Sequence, residues 1–324
     1  MTKRLRILSG VQPSGTLHIG NYFGAIRQHI ALQDEGDAFY FLANYHALTT
    51  INDAAEMRRY TMDAVLDYLA LGLDPQKAAF FLQSDVPEVC ELTWMLASVT
   101  GMGLLERSVS YKDKIARGIQ PRAGLFMYPV LMAADILIYD SDVVPVGADQ
   151  VQHIEMTRDM AGFFNAIYGE VFKLPVARVE EATAKVPGTD GQKMSKSYGN
   201  TIGIFDEGKT LKTKVMGIVT DSTPVEAPKD PDTNTIYQLF TLVATEPEAA
   251  DMAERFRAGG YGYGDAKKRL LEAIDATFRP FREKRKELAA HPDYLQQVLR
   301  DGATRARAEA QVVMDRARTA CGIG

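Results

Sequence analysis

Two segments of the chain carry side chains suited to binding an anionic ligand. Residues 193–197 read Lys-Met-Ser-Lys-Ser and follow the glycine-bordered run 187–192. Residues 12–21 combine glycines with one histidine, His18, in a turn that opens a predicted helix. Helix N-termini bind anions through their free N–H groups and the helix dipole, and lysine side chains add movable positive charge. Together the two segments predict a clamp for a triphosphate, although each alone also fits a solvated loop or a capped turn.

Short apolar runs alternate with longer helical patterns over the first two hundred residues. Strands are predicted at 5–9, 39–44, 79–83 and 143–146, and helices at 18–33, 54–71, 88–99 and from 150 onwards. This alternation predicts an α/β fold with a doubly wound, Rossmann-like parallel sheet. Ligands bind such sheets beyond the carboxyl ends of the strands. The turns after the first and the last of these strands lie there.

Strand signals end near residue 205, where the character of the chain changes. We predict a catalytic domain over residues 1–205 and a C-terminal helical domain over residues 206–324, with a last helix that packs either in that domain or back on the catalytic domain. An apolar stripe predicts a helix over 265–288, which Pro280 should break or kink.

The composition of the 324 residues is typical of a soluble globular protein, with 46% hydrophobic and 24% charged residues. Cys90 and Cys321 are too few for a disulfide framework or an iron–sulfur cluster, so we expect a reducing compartment and no metal site. No apolar run is long enough for a signal sequence or a membrane span, and a cytoplasmic protein is expected. The net charge of −5 argues against strong nucleic-acid binding. Residues 267–286 nevertheless hold eight basic and three acidic side chains and could meet phosphates.

The two anion-binding segments resemble the two signature sequences of class I aminoacyl-tRNA synthetases. Residues 127–135 and 144–153 match further blocks, in the same order, of the bacterial type of tryptophanyl-tRNA synthetase, and the likeness runs nearly end to end. The first signature ends in Asn21, where many members of the class carry histidine. His18 is therefore the one imidazole in that segment.

The resemblance implies a two-step reaction. Tryptophan attacks ATP, with Mg²⁺ on the triphosphate, to give tryptophanyl-adenylate and pyrophosphate, and the aminoacyl group then passes to the 3′ end of tRNA(Trp). It also implies a homodimer and an anticodon-binding role for residues 206–324, with 267–286 as the candidate contact.

The resemblance further implies which residues meet each substrate. Four residues are implied to stabilise charge on the phosphates, namely His18, Lys193, Lys196 and Lys114. The implied ATP site consists of Gln12, Pro13, Ser14, Gly20, Asn21, Gly147, Ala148, Asp149, Val186, Lys193, Met194, Ser195, Lys196 and Ser197. The implied tryptophan site consists of Asp135, Tyr128, Met132, Gln150, His46, Val144 and Val146.

Asp135 stands in the otherwise apolar run 130–138, on the same predicted helix face as Tyr128 and Met132. A buried carboxylate without a partner is costly, so a donor must face it. An indole N–H donates and cannot accept, so a carboxylate opposite it would select tryptophan. Met132 would offer a polarizable wall to the bicyclic ring. The alternative is that Asp135 caps or pairs locally.

Several alternatives remain open. Asp149 and Gln152 also fit a capping box at a helix start, and His153 is interpreted as structural. The sister tyrosyl enzymes usually carry Gln where Met132 stands, which disfavours tyrosine. A plain nucleotidyltransferase would lack the helical appendage. A catalytically silent RNA-binding paralogue would be expected to lose His18 or the two lysines.

Overall fold

The computed structural model describes residues 4–13, 15–116, 118, 120–147, 150–179 and 186–324. Its described strands form a five-stranded parallel sheet in the order β3-β2-β1-β4-β5. The strands are β1 (Leu5–Val11), β2 (Gly36–Leu42), β3 (Ala78–Leu82), β4 (Val143–Val146) and β5 (Val176–Val179). The predicted fold class, a doubly wound parallel sheet with C-terminal helices, is confirmed.

The order of the strands reverses at β1, which pairs with β2 on one side and with β4 on the other. The carboxyl ends of these neighbours therefore open a crevice at the switch point, where doubly wound sheets bind ligands. Gln12 follows β1 and Gly147 follows β4 at this edge.

Helices cover the sheet and make up most of the other described residues. They are α1 (Ile19–Asn21), α2 (Arg27–Ala31), α3 (Asn44–Ala47), α4 (Ala54–Ala70), α5 (Glu88–Val99), α6 (Met102–Glu106), α7 (Val109–Ala116), α8 (Ala123–Leu137), α9 (Val151–Tyr168), α10 (Gly208–Met216), α11 (Thr235–Phe240), α12 (Glu246–Ala258), α13 (Tyr263–Ala289) and α14 (Pro292–Cys321). One apolar core joins the sheet to α5, α8, α9 and α14. None of the described helices is long and apolar enough to cross a membrane.

Two compact units divide the chain, and neither is a single continuous segment. Unit 1 comprises Met1–Gly15, His29–Glu181 and His291–Gly324, and unit 2 comprises Thr16–Gln28 and Ala182–Ala290. This division differs from a boundary at residue 205, because α14 returns to the sheet and the start of the first helical region belongs to unit 2. The functions expected of residues 1–205 and 206–324 stay predictions.

Helix α14 packs against β3, one of the two edge strands of the described sheet, inside unit 1. Gly302 makes the close approach possible, since a Cβ there would lie 2.0 Å from the carbonyl oxygen of Phe80. Arg305 donates to the Ala78 carbonyl at 3.2 Å. Two ion pairs, Arg307 with Glu88 and Arg318 with Glu91, tie the helix to α5.

Several helices differ from their prediction. The predicted helix 18–33 is interrupted by a π-helical turn, Tyr22–Ile26. Tyr22 and Phe23 of this turn both pack on Phe278, and their ring centroids lie 5.3 and 6.0 Å from that of Phe278. This packing accounts for the wider, π-helical turn. Pro280 does not end α13, which continues through it to Ala289.

Most basic side chains of the stretch 267–286 form ion pairs within unit 2. Its basic side chains pair as follows: Lys268 with Asp265, Arg269 with Asp251, Arg279 and Arg282 with Asp275, Lys284 with Glu287, and Lys286 with Glu207. Lys267 donates to the Met216 carbonyl, and Arg285 lies over the Phe205 ring. A contact between this stretch and RNA stays a prediction, and it would have to compete with these pairs.

Candidate active site

Asp135 lies on α8, inside unit 1, with 2% of its surface exposed. Gln83 Nε2 donates to both carboxylate oxygens, at 2.9 Å to Oδ1 and 2.8 Å to Oδ2. His46 Nε2 donates to Oδ2 at 3.0 Å. Burial raises the pKa of Asp135, against the opposing effect of the hydrogen bonds from His46 and Gln83. The donors that a buried carboxylate requires are thus supplied by the protein.

Gln83 supports Asp135 in the candidate site and was not predicted from the sequence. It is 1% exposed and follows β3 at the carboxyl edge of the sheet. Its Oε1 accepts from the backbone N–H of Tyr45 at 3.0 Å, so one side chain links the end of β3 to α3 and to α8. A polar residue directly after the apolar strand Ala78–Leu82 was the available signal.

Tyr128 stands one helical turn before Met132 on the face of α8 that carries Asp135. Its hydroxyl is hydrogen-bonded to Nε2 of His153, which is buried on α9. Its ring meets the edge of His46, with centroids 6.1 Å apart. Burial raises the pKa of the Tyr128 hydroxyl to about 12, so the phenol stays protonated. His153 therefore positions a residue of the predicted pocket.

A cavity of about 450 Å³ in unit 1 brings the predicted amino-acid site together. Its lining includes every residue implied to bind tryptophan, namely Asp135, Tyr128, Met132, Gln150, His46, Val144 and Val146. Gln12 and Gly147, from the implied ATP site, line it too. The volume lies in the usual range for small-molecule pockets, and the walls are mostly apolar with a few polar groups.

The first signature segment places His18 and Asn21 in a reciprocal cap within unit 2. His18 Nδ1 accepts from the Asn21 N–H at 3.2 Å, and Asn21 Oδ1 accepts from the His18 N–H at 3.1 Å. Burial first, and then the nearby charge of Lys196, lower the pKa of His18 to about 4. The imidazole is therefore neutral at pH 7, and because Nδ1 accepts, Nε2 carries the proton.

The chain after the second signature segment packs against the first segment within unit 2. A short antiparallel bridge joins His18 to Gly203, and the Ile19 N–H donates to the Ile202 carbonyl at 3.0 Å. A Cβ at Gly20 would lie 2.9 Å from Nδ1 of His18 and 3.3 Å from Cβ of Met194, so the missing side chain leaves room for both residues.

The lysine-bearing loop 193–197 has one buried anchor and exposed lysines. Met194 is 4% exposed and its N–H donates to the carbonyl of Val186 at 2.9 Å. Lys193 and Lys196 on either side are exposed. Ser195 caps the short 3-10 turn that follows, with its Oγ accepting from the Ser197 N–H at 3.3 Å. The loop therefore presents two cations from a fixed backbone.

Some predicted residues cannot be placed. Ser14, Ala148 and Asp149 lie outside the described residues, as does the side chain of Lys114. Pro13 is described and buried beside the end of β1 in unit 1.

A family model described as tRNA synthetases class I (W and Y) matches residues 1–279. The chain belongs to the class I tRNA synthetases of the tryptophan and tyrosine family. The matched range contains both signature segments and every described residue of the cavity.

Individual relatives are similar over almost their whole length. The tryptophan–tRNA ligase of Rhodopirellula baltica is 55% identical, over 98% of this chain and 100% of the relative. That of Fusobacterium nucleatum is 56% identical, over 98% of each chain. Among solved structures, the tryptophanyl-tRNA synthetase of Campylobacter jejuni complexed with ADP and tryptophan has a TM-score of 0.94 at 50% identity, covering 98% of this chain and 100% of that one.

Proposed function

We propose that this chain is a tryptophan–tRNA ligase. It joins L-tryptophan to ATP, releasing pyrophosphate, and passes the aminoacyl group of the adenylate to the 3′ end of tRNA(Trp). The observation that carries the proposal is the buried Asp135 carboxylate on the wall of the apolar cavity in unit 1. Relatives at 55% and 56% identity over 98% of this chain bear the same activity in their names.

The hydrogen bonds of Asp135 leave one oxygen better placed to receive a ligand. Within the described residues, Oδ2 accepts from both Gln83 and His46, whereas Oδ1 accepts from Gln83 alone. A carboxylate oxygen offers two lone pairs. Oδ1 of Asp135 therefore accepts the indole N–H of tryptophan in our proposal.

The same wall disfavours tyrosine. A phenol hydroxyl both donates and accepts, so it needs a donor as well as an acceptor from the pocket. Met132, one turn from Asp135, offers a thioether and no N–H or O–H. The tyrosine enzyme is the second candidate, because the family model covers both amino acids.

In unit 2, His18 and the lysine-bearing loop 193–197 bind the triphosphate. His18 donates from Nε2 to a phosphate oxygen as a neutral group, which positions the phosphate without adding charge. Lys193 and Lys196 supply the positive charge that stabilises the leaving pyrophosphate. Mg²⁺ arrives as part of the MgATP substrate. Little covalent chemistry is asked of the protein, so positioning and electrostatic stabilisation carry the step.

Partners follow from the proposed reaction. tRNA(Trp) is the acceptor, and residues 206–324 are proposed to contact its anticodon. A homodimer is proposed, and the side chain of Trp94, 75% exposed on α5, supports an interface in unit 1 because aromatic residues are enriched at protein–protein interfaces. We place the enzyme in the cytoplasm, where charged tRNA is used.

Amino-acid-dependent ATP–pyrophosphate exchange tests the proposal. Exchange with tryptophan and little with tyrosine is expected. Exchange with tyrosine alone would establish the tyrosine enzyme, and exchange with neither would identify a silent paralogue. Charging of a tRNA(Trp) transcript with labelled tryptophan checks the second step.

A further inference from the structure

Asn200, three residues after the lysine-bearing loop, is almost fully buried in unit 2, with 2% of its surface exposed. Its Nδ2 donates to the Asp190 carboxylate at 2.7 Å and to the Lys193 carbonyl at 3.1 Å. Its Oδ1 accepts from the Ser195 N–H at 2.8 Å. Both amide donors and the acceptor are therefore used.

These hydrogen bonds hold the loop backbone on both sides of the buried Met194. The Lys193 carbonyl precedes Met194 and the Ser195 N–H follows it, so one amide group fixes the backbone from which both lysine side chains emerge. Asp190 completes the arrangement, since its Oδ1 also accepts from the Gln192 N–H at 3.0 Å. The hydrogen bond from Asn200 is the main cause that lowers the pKa of Asp190.

The surrounding turn is shaped around this amide. A Cβ at Gly188 would lie 2.2 Å from Nδ2 of Asn200, so only glycine admits the side chain there. The Thr189 N–H donates to the carbonyl of Asn200 at 2.9 Å, which fixes its backbone as well.

We propose that Asn200 is a positioning residue for the adenylation step, which sets the geometry of Lys193 and Lys196 toward the triphosphate. The proposal rests on the proposed function and adds to it a residue outside both signature segments. It acts through the loop backbone and not by touching the substrate. A displacement of about 1 Å at a charged group is enough to cost about 100-fold in rate.

Asn200→Asp is the sharpest test, because it keeps the shape and removes both donors. A carboxylate would then face the Lys193 carbonyl and Asp190, which repel it. We expect kcat/KM for ATP in tryptophan-dependent exchange to fall by about 10- to 100-fold. The Kd for tryptophan, measured by equilibrium dialysis without ATP, should stay within about twofold of wild type, because Asn200 is not among the residues that line the cavity.

Asn165 offers a matched control in unit 1. It makes the same kind of bonds, donating to the Phe172 carbonyl and accepting from the N–H groups of Val171 and Phe172. Asn165→Asp should lower the thermal stability and leave kcat/KM for ATP unchanged. Equal losses in the two variants would overturn the proposal, because any buried Asn would then do the same.

A double-mutant cycle with Lys196→Ala separates positioning from folding. If Asn200 acts through the loop lysines, Asn200→Asp should cost much less in the Lys196→Ala background than in wild type. Full additivity would overturn the proposal. If Asn200→Asp does not fold, Asp190→Ala is the second variant, because it removes one of the three hydrogen-bond partners of the Asn200 side chain at an exposed position. We expect a several-fold rise in KM for ATP. An unchanged KM would overturn the proposal.

The proposed function can fail separately. Wild-type protein without tryptophan-dependent exchange would reject the function itself. Active wild-type protein with a normal Asn200→Asp variant would reject only the role of Asn200.

Discussion

Gln83 donates its side-chain amide to both carboxylate oxygens of Asp135, at 2.9 and 2.8 Å. The two residues lie 52 positions apart in the chain and meet in the interior of unit 1. The amide fixes the plane of the carboxylate, so the direction in which Asp135 can accept from a ligand is set before the ligand arrives. Such pre-organisation lowers the ordering cost of binding.

Replacement of Asp135 by alanine should remove a charge-assisted contact to the indole. We expect a loss of about 1.5–3 kcal/mol in kcat/KM for tryptophan, measured by pyrophosphate exchange. Asp140→Asn is the control, because Asp140 pairs with Arg316 in the same unit and its φ of 49° suits asparagine. Tryptophan turnover unchanged by Asp135→Ala would reject the pocket assignment.

Replacement of Gln83 by glutamate should bring two carboxylates together. Because like charges disfavour ionisation, the pKa of Asp135 should rise further. The imidazole of His46, which is hydrogen-bonded to Asp135, should be attracted to the two carboxylates. We expect the Kd for tryptophan at pH 7.5 to increase by about tenfold, with KM for ATP nearly unchanged. Gln83→Met, which removes the donor without adding charge, should cost less; an equal loss in both variants would contradict the charge argument.

Replacement of Lys196 by alanine should slow adenylation by about 100-fold, as for the removal of one donor from a charge-stabilising site. Tryptophan binding should change little, because the lysine acts on the leaving phosphates. Lys209→Ala, an exposed lysine of the same unit, is the control. A parallel loss of tryptophan affinity in Lys196→Ala would mean that the loop only supports the fold.

The neutral state of His18 predicts a specific pH dependence of stability. Its pKa in the folded chain is about 4, below the ordinary 6.5, so the unfolded chain takes up the proton first as the pH falls. The stability contributed by His18 is complete above pH 6.5 and is lost as the pH falls through about 4. His18→Asn keeps an N-cap acceptor and removes the titrating ring. Chemical denaturation from pH 7 to 4.5 should therefore give a shallower stability curve for this variant, and superimposable slopes would contradict the assignment.

Gly302→Ala should destabilise unit 1 severely. The new Cβ would lie 2.0 Å from a β3 carbonyl oxygen, so α14 must shift, at a cost of about 3 kcal/mol or more. Gly162→Ala is the matched control on α9, where a Cβ meets nothing within 4 Å and should stabilise the helix by about 0.5–1 kcal/mol. Thermal unfolding of the two variants distinguishes them; similar melting temperatures would contradict the packing argument.

Local apolar runs and helical periodicity predicted most of the sheet and some of its helices. The apolar runs of β1 to β4 and the periodic helix over Glu88–Val99 are examples. Strand β5 was missed because Val176–Val179 is mostly exposed and shows no apolar alternation. The interrupted helix after His18 was missed because its aromatic contacts come from Phe278, far along the chain.

The candidate site, too, could be predicted only where a local pattern marks its residues. Asp135 stood out because a charge in an apolar run is locally anomalous, and the lysines stood out by their spacing. The donors to Asp135 could not be assigned, because Gln83 and His46 reach it only through the order of the strands. Asn200 lies near the loop in sequence, but its hydrogen bonds to Lys193 and Ser195 could not be predicted, because they depend on the close turn at Gly188.

The contact between α14 and β3 has a consequence for biosynthesis. Unit 1 takes its sheet from the first 179 residues and its covering helix from the last thirty-odd. A ribosome-bound chain that lacks residues 292–321 has β3 without α14 against it, so unit 1 completes its core only after this helix has been made. A premature stop codon anywhere before that helix should therefore yield an aggregating fragment and not a smaller working enzyme.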